Sequence, residues 1–268
     1  MQVIVLTGAS EGIGAEMARQ LAQRQGQQLA LVLAARNVER LESVAHQCRA
    51  FGAQALVQRT DVSVESECRA LIQAAVQTYG RLDALINNAG MSAHALLREV
   101  VDLAWYEQLM RINHWGAVWC THAALPHLLA SRGRLCAVSS LAGLVGVPGR
   151  TAYCATKFAM TGFFEALRAE LIGTGVSVTT AYPGVVDTEI RRRGFNAAGQ
   201  PAGTSGLDER GAMPVDVCAR LILDALAQRR REVVMTARGR LGRWLKLIAP
   251  GLVDRMALAA LNKEARPR

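Results

Sequence analysis

Short apolar runs alternate along the chain with longer stretches in which apolar residues recur every three or four positions. The runs are "VIVL", "LALVLAA", "QALVQRT", "ALINNA", "RLCAVSS", "VSVTTAYPG" and "EVVMT", each bounded by glycine, proline or small polar residues. One helical pattern ends near Gln25 and the next begins near Val38. Strands that are apolar nearly throughout are those buried on both faces, and their alternation with amphipathic helices predicts a parallel sheet between two helical layers. The expectation is an α/β fold: one doubly wound parallel sheet of about seven strands with helices on both faces, as a single domain over residues 1–268.

Two segments break the alternation. Residues 189–213, "EIRRRGFNAAGQPAGTSGLDERGAM", are rich in glycine, alanine, asparagine and proline and carry no period, which predicts a long mobile loop that closes over a substrate. From Gly239 onward Leu241, Trp244, Leu245, Ile248, Leu252 and Met256 recur at helical spacing with Arg240, Arg243 and Lys246 between them, so residues 239–268 form an amphipathic, basic tail. Pro250 is expected to divide it into two helices.

Length and composition narrow the class. A chain of 268 residues, 51% hydrophobic, is ample for one substantial core. The formal charge of +9 is concentrated in the C-terminal third, from Arg191, Arg192 and Arg193 through Arg229, Arg230 and Arg231 to the tail. Those arginines come without an aromatic platform or a base-reading motif, so nucleic acid is not expected as a partner. The six cysteines have neither zinc-ligand spacing nor the density of a disulfide scaffold, and the five histidines lack ligand spacing with them; no catalytic metal is expected. The chain opens directly on "QVIVLTGAS" and contains no run of eighteen apolar residues, which points to a cytoplasmic protein.

"VIVLTGASEGIGAEMARQLAQ" reads as strand, glycine-rich turn and helix. Without a Cβ at Gly8, Gly12 and Gly14 the backbone can turn tightly and let a pyrophosphate reach the first amides of the helix. The spacing Gly-xxx-Gly-x-Gly resembles the turn of the short-chain dehydrogenase/reductase family. The resemblance extends through Asp61 in "TDVS" and Asn88, Ala89 and Gly90 in "NNAG", and on to Pro183, Gly184 and Thr188 in "AYPGVVDTEI". It implies a Rossmann-type fold and a cofactor site formed by Thr7, Gly8, Ser10, Gly12, Ile13, Gly14, Arg36, Asp61, Val62, Asn88, Ala89, Gly90, Tyr153, Lys157, Pro183, Gly184, Val186 and Thr188. After the second strand, "AARN" places Ala35 where members preferring NAD carry an acid and Arg36 where members preferring NADP carry a base, so NADP(H) is expected over NAD(H). Glu11, within the turn, is the departure: many NADP-preferring relatives have a basic residue or serine there, and a carboxylate near a phosphate is repulsive unless it points away.

"TAYCATKFAM" puts a phenol and an ammonium four residues apart, on one helical face. Tyr153 and Lys157 are similar to the family's catalytic Tyr-xxx-Lys, with Ser140 thirteen residues before the tyrosine and Asn113 forty before it. A nearby ammonium favours the phenolate, so Tyr153 can give a proton to a carbonyl oxygen or take one from an alcohol. The resemblance implies that Lys157 also holds the nicotinamide ribose, that Ser140 positions the substrate oxygen, that Asn113 holds a water serving proton return, and that Thr188 holds the carboxamide. Ser139 is expected to face away from the substrate.

Together these features predict NADP(H)-dependent, reversible reduction of an apolar or lipid-like ketone or aldehyde. The apolar segment "LAGLVGVPG" after Ser140 is expected to line the pocket. The alternatives are a cofactor-binding sensor, against which the intact tetrad speaks, and a non-catalytic subunit of a larger complex docked through the tail. The family implies a homodimer or homotetramer. The tail is open to two readings: a helix pair packed on its own or a partner subunit, or an interfacial anchor in peripheral contact with a membrane, with Trp244 in the bilayer and Arg240, Arg243 and Lys246 on anionic headgroups.

Overall fold

Complete burial of consecutive strand residues is the feature that sets the architecture. In the computed structural model, which describes residues 1–205 and 211–264, strand β2 (Leu29–Ala35) is buried at every position but its last. In β1 (Gln2–Thr7), Val3 and Val5 join one core cluster while Ile4 and Leu6 join another, so the two-residue period of the strand feeds two separate cores. The remaining strands are β3 (Gln54–Arg59), β4 (Ala84–Asn87), β5 (Arg134–Val138), β6 (Ser177–Tyr182) and β7 (Glu232–Val234). All pair in parallel in the order β3-β2-β1-β4-β5-β6-β7, with Gln2 opposite Leu29 and Ile4 opposite Ala84 on the two sides of β1.

One face is covered by α1 (Gly12–Gln25), α2 (Val38–Ala50) and α7 (Val215–Ala227), through Met17, Leu21, Leu41 and Ile222. The other is covered by α3 (Glu65–Tyr79), α5 (Gly116–Ser131) and α6 (Thr151–Glu170), through Leu71, Cys120, Leu128 and Phe164. A short helix α4 (Ala104–Met110) runs into α5 through a single π-turn, Arg111–Trp115, with Asn113 at its centre. Such widened turns are rare and recur at functional sites. The strand order reverses between β1 and β4, and the carboxyl ends of those strands open the crevice where ligands of such sheets bind.

The two segments that break the alternation are both held against the rest of the chain. The described part of 189–213 has turns and isolated bridges only, yet it is tied down: Phe195 is buried, its N–H bonds Ser92 O at 3.0 Å, and its carbonyl accepts from His94 N at 2.9 Å. Its ring packs 5.7 Å from Trp105 in a small apolar cluster that also contains Tyr153. One aromatic side chain thus anchors a glycine-rich loop, a long-range effect with no local periodicity. Residues 206–210 lie outside the described residues, as do the last four of the tail.

The tail divides at Pro250 into α8 (Ala237–Ile248) and α9 (Pro250–Glu264). It packs on its own chain against the segment after Ser140. Gly239 comes so close to Leu141 that a side chain there would overlap it, and Lys246 Nζ donates to Leu144 O at 3.2 Å and lies 4.7 Å from the Phe158 ring centre. Arg243 pairs with Glu232. Two of the three cations expected to face headgroups are therefore turned inward; Arg238, Arg240 and Arg255 are the exposed ones.

Candidate active site

At the end of β1 the Thr7 hydroxyl accepts from the N–H groups of Asn88 and Ala89, both at 3.0 Å, and Asn88 Nδ2 donates to the carbonyls of Thr7 and Gly8. These bonds lock the glycine turn to the end of β4. Gly8 has φ +65°, and a Cβ there would lie 2.8 Å from the Ala89 Cα; one at Gly14 would overlap the Gly8 carbonyl. No side chain caps the amino end of α1, so its first amides face the cleft unclaimed. Thr188 crosses above the turn, its methyl 3.3 Å from where a Gly12 side chain would begin.

The turn opens into a cleft of about 1190 Å³ running along the carboxyl edge of the sheet. Of the residues implied by resemblance, Gly8, Ser10, Gly12, Ile13, Gly14, Arg36, Asp61, Val62, Asn88, Ala89, Gly90, Ser140, Tyr153, Lys157, Pro183, Gly184, Val186 and Thr188 all line it. Two do not. Thr7 lies beneath the turn and supports it. Asn113 is fully buried, its Oδ1 accepting from Met91 N at 2.7 Å and its Nδ2 donating to Met91 O at 2.9 Å and Thr156 Oγ1 at 3.0 Å. It fastens the π-turn to the strand β4 exit and to α6.

A backbone with this shape fits a dinucleotide: space that any side chain would fill and free helix amides at the pyrophosphate position. At the adenosine end, Arg36 is exposed on the cleft, and Asp61 Oδ1 accepts from Ser63 N and Ser63 Oγ at 2.9 and 2.7 Å. Glu11 does not stand as a bare charge. Its carboxylate pairs with Arg40 at 2.5 Å and with Arg193 of the 189–213 segment. Arg40 was legible in principle, one helical turn beyond Arg36; Arg193, 182 residues away from Glu11, was not.

At the other end, Ser140 follows β5 and caps a short turn, its Oγ accepting from Ala142 N at 3.2 Å. Accepting there leaves the hydroxyl proton free for the cleft. Ser139 also lines the cleft, its Oγ donating to Lys157 O at 3.3 Å. On α6, Tyr153 and Lys157 are both buried, and the ammonium lies 5.8 Å from the phenol ring centre. Lys157 Nζ donates to Val138 O at 3.1 Å, and among the described residues no carboxylate pairs with it. Burial pushes its pKa down; Tyr153 opposes the shift and Arg150 adds to it. Arg150 and Ser92, which the motif left out, also line this end.

Residues 2–198 match the family described as short chain dehydrogenase. The chain belongs to that family. Among short-chain dehydrogenases similar to it, 11-beta-hydroxysteroid dehydrogenase A of Sesamum indicum is 35% identical over 259 residues, covering 94% of this chain and 73% of that protein. Dehydrogenase/reductase SDR family member 7 of Mus musculus is 35% identical over 237 residues, covering 86% and 69%. An alcohol dehydrogenase from the archaeon Thermococcus sibiricus, solved in complex with 5-hydroxy-NADP, superposes with a TM-score of 0.74 at 25% identity over 87% of this chain and 95% of that one. The protein is thus an oxidoreductase of the short-chain type, acting between CH–OH and C=O groups of small molecules with a nicotinamide cofactor. Among its described residues no helix is long and apolar enough to cross a membrane.

Proposed function

We propose that the protein reduces a bulky apolar ketone or aldehyde with NADPH, reversibly, and that Tyr153 is its acid and base. The observation that carries this reading is the meeting of Ser140, Tyr153 and Lys157 on one cleft with an open phosphate turn. Arg36 and Arg40 at the adenosine end support a 2′-phosphate. A reduced nicotinamide held along this cleft by Lys157 and Thr188 would supply the hydride for the carbonyl carbon. The Ser140 hydroxyl donates a hydrogen bond to the carbonyl oxygen and stabilises the charge gathering there, and the Tyr153 hydroxyl delivers the proton. Lys157 holds a positive charge beside the resulting phenolate, which favours it over a free phenol. Asn113 acts as a positioning residue, fixing Met91 and α6 relative to one another. Oxidation of the alcohol is the reverse.

The bulky apolar substrate is supported by Leu141, Ala142, Val147 and Ile190 at the catalytic end and by the hydroxysteroid dehydrogenases among the relatives. Segment 189–213 serves as the lid, within one domain. Exposed Trp115, at the end of the π-turn and stacked on Trp119 of α5 at 5.9 Å, supports a homodimer or homotetramer built on that helix. Six buried free thiols, two of them pushed up to about 12 by burial, suit a reducing cytoplasm. The exposed apolar face of α8 and α9 suits peripheral attachment to a lipid surface there.

The test is NADPH consumption across ketones and aldehydes of rising apolar size, with NADH in parallel. Turnover is expected to rise with size, to prefer NADPH, and to fall roughly a thousandfold in Tyr153→Phe with NADPH binding kept. Binding of NADPH without turnover on any carbonyl would leave the sensor or subunit reading in its place.

A further inference from the structure

Arg150, the residue immediately before α6, brings a second cation to the catalytic tyrosine. Its guanidinium carbon lies 4.1 Å from the Tyr153 ring centre, nearer than the Lys157 ammonium at 5.8 Å. The group is held in place: Nη2 donates to Ser92 Oγ at 2.7 Å and Nε to Ala93 O at 3.2 Å. The same segment is fixed from the other side, where Ala95 N donates to Gly149 O at 2.7 Å. Arg150 therefore joins the first turn of α6 to the chain leaving β4, with the Tyr153 ring beneath the joint.

A cation over the face of a neutral phenol gains from the ring quadrupole; over a phenolate it meets a full negative charge spread into the ring, and the attraction is larger. A guanidinium so placed favours loss of the phenolic proton. Unlike an ammonium, it stays charged at every pH of interest. The other charged groups around the cleft are placed differently. From the chain after β6, Asp187, Glu189, Arg191 and Arg193 line its rim, with Arg191 Nη1 on Val186 O and Arg193 on Glu11. From the β4 exit, the His94 ring lies against Gly149. The cations over the ring itself are Arg150 and Lys157.

We propose that Arg150 is a positioning residue for the reaction, orienting the Tyr153 ring and, together with Lys157, holding its hydroxyl as a ready proton donor and acceptor. This rests on Tyr153 being the acid and base. It adds a division of labour: Lys157, whose own charge is opposed by burial, is not the sole source of positive potential at the phenol.

The experiment is a near-ultraviolet phenolate titration of the full-length protein, with the Tyr153→Phe titration subtracted to isolate the Tyr153 step. In Arg150→Met the step is expected about one pH unit higher, a tenfold change in the proton-binding constant, with Arg150→Lys partly restoring it. The acid limb of alcohol oxidation should move upward by the same amount, because the base is then protonated over a wider range. Ser92→Ala, which loosens the guanidinium without removing it, is expected to move both in the same direction by less, and serves if Arg150→Met does not fold. A folded Arg150→Met or Ser92→Ala protein with an unmoved Tyr153 step and a merely scaled profile would overturn the inference. The titration needs no substrate, so it is read independently of whether turnover is found; loss of turnover in Tyr153→Phe beside an unmoved step would sink this inference alone.

Discussion

Lys157 shows at the scale of one residue how the site is purchased from the fold. It is a fully buried cation whose nearest partners are a carbonyl and a thioether, Val138 O and Met160 Sδ. Its pKa lies below the ordinary 10.5, mainly through burial. The folded state therefore binds fewer protons than the unfolded chain between the lowered value and 10.5, and stability should rise with pH across that window. Below it the charged form carries its full desolvation cost. Replacing Lys157 by Met, of similar volume, removes that cost. Lys157→Met is expected to melt higher at neutral pH by roughly 2–4 °C, for about 1 kcal/mol, with the advantage shrinking as pH approaches 10, while turnover falls by orders of magnitude. Thermal melts of both proteins at pH 7 and near pH 10 test it; a lower melting point for the variant at both would show the ammonium to be a structural tie instead. The identity of this residue was legible from its four-residue spacing to Tyr153. That no carboxylate among the described residues pairs with it was not, because that depends on what β5 and the π-turn bring beside it.

At the scale of elements, what could be read from the chain was whatever repeats locally. Strands buried on both faces announce themselves as continuous apolar runs, and all seven lie where those runs are. Contacts between distant elements carry no such signature. Asn113 sits in a π-turn, and Phe195 pins a glycine-rich loop through Trp105. Glu11, which looked misplaced beside a phosphate, is balanced by Arg40 from α2 and Arg193 from the 189–213 segment. That arrangement has a measurable consequence. A 2′-phosphate arriving at Arg36 must compete with Glu11 for Arg40 and lies within reach of the carboxylate's repulsion. Glu11→Gln removes both, so NADPH should bind several-fold tighter, on the order of 1 kcal/mol for partly exposed charges, with NADH changed far less. Cofactor fluorescence titrations at two ionic strengths check this: the gain should shrink as salt rises. Equal gains for both cofactors would place the effect at the pyrophosphate and dissociate Glu11 from the choice between them.

On the scale of the whole molecule, the sheet's reversal between β1 and β4 opens the cleft, and the tail packs behind the segment that follows Ser140. The inner surface of α8 reaches Leu141 and Leu144, beside Ser140, while its outer surface presents Leu241, Trp244, Leu247 and Ile248, the last 84% exposed. On α9, Leu252 and Met256 continue the apolar strip, with Arg238, Arg240 and Arg255 exposed nearby. Such a face costs solubility unless something apolar covers it, and neighbouring cations favour an anionic lipid surface. The outer position also permits a test that leaves the pocket alone. Leu247→Glu with Ile248→Glu changes side chains directed to solvent, so reduction of a small water-soluble ketone should be unaffected. Each leucine or isoleucine that enters the interfacial region contributes about 1.5–3 kcal/mol, and each added carboxylate is repelled by the headgroups, so affinity for anionic vesicles should fall at least a hundredfold. Flotation with vesicles of anionic phospholipid, at low and at physiological salt, measures it. A wild-type protein that fails to float at low salt would remove lipid as the partner, and analytical sedimentation would then decide whether this face joins two copies of the chain. If the wild type floats and the double variant does not, the outer surface of α8 is the lipid contact, and the Leu141–Leu144 segment on its inner side is held close to the bilayer.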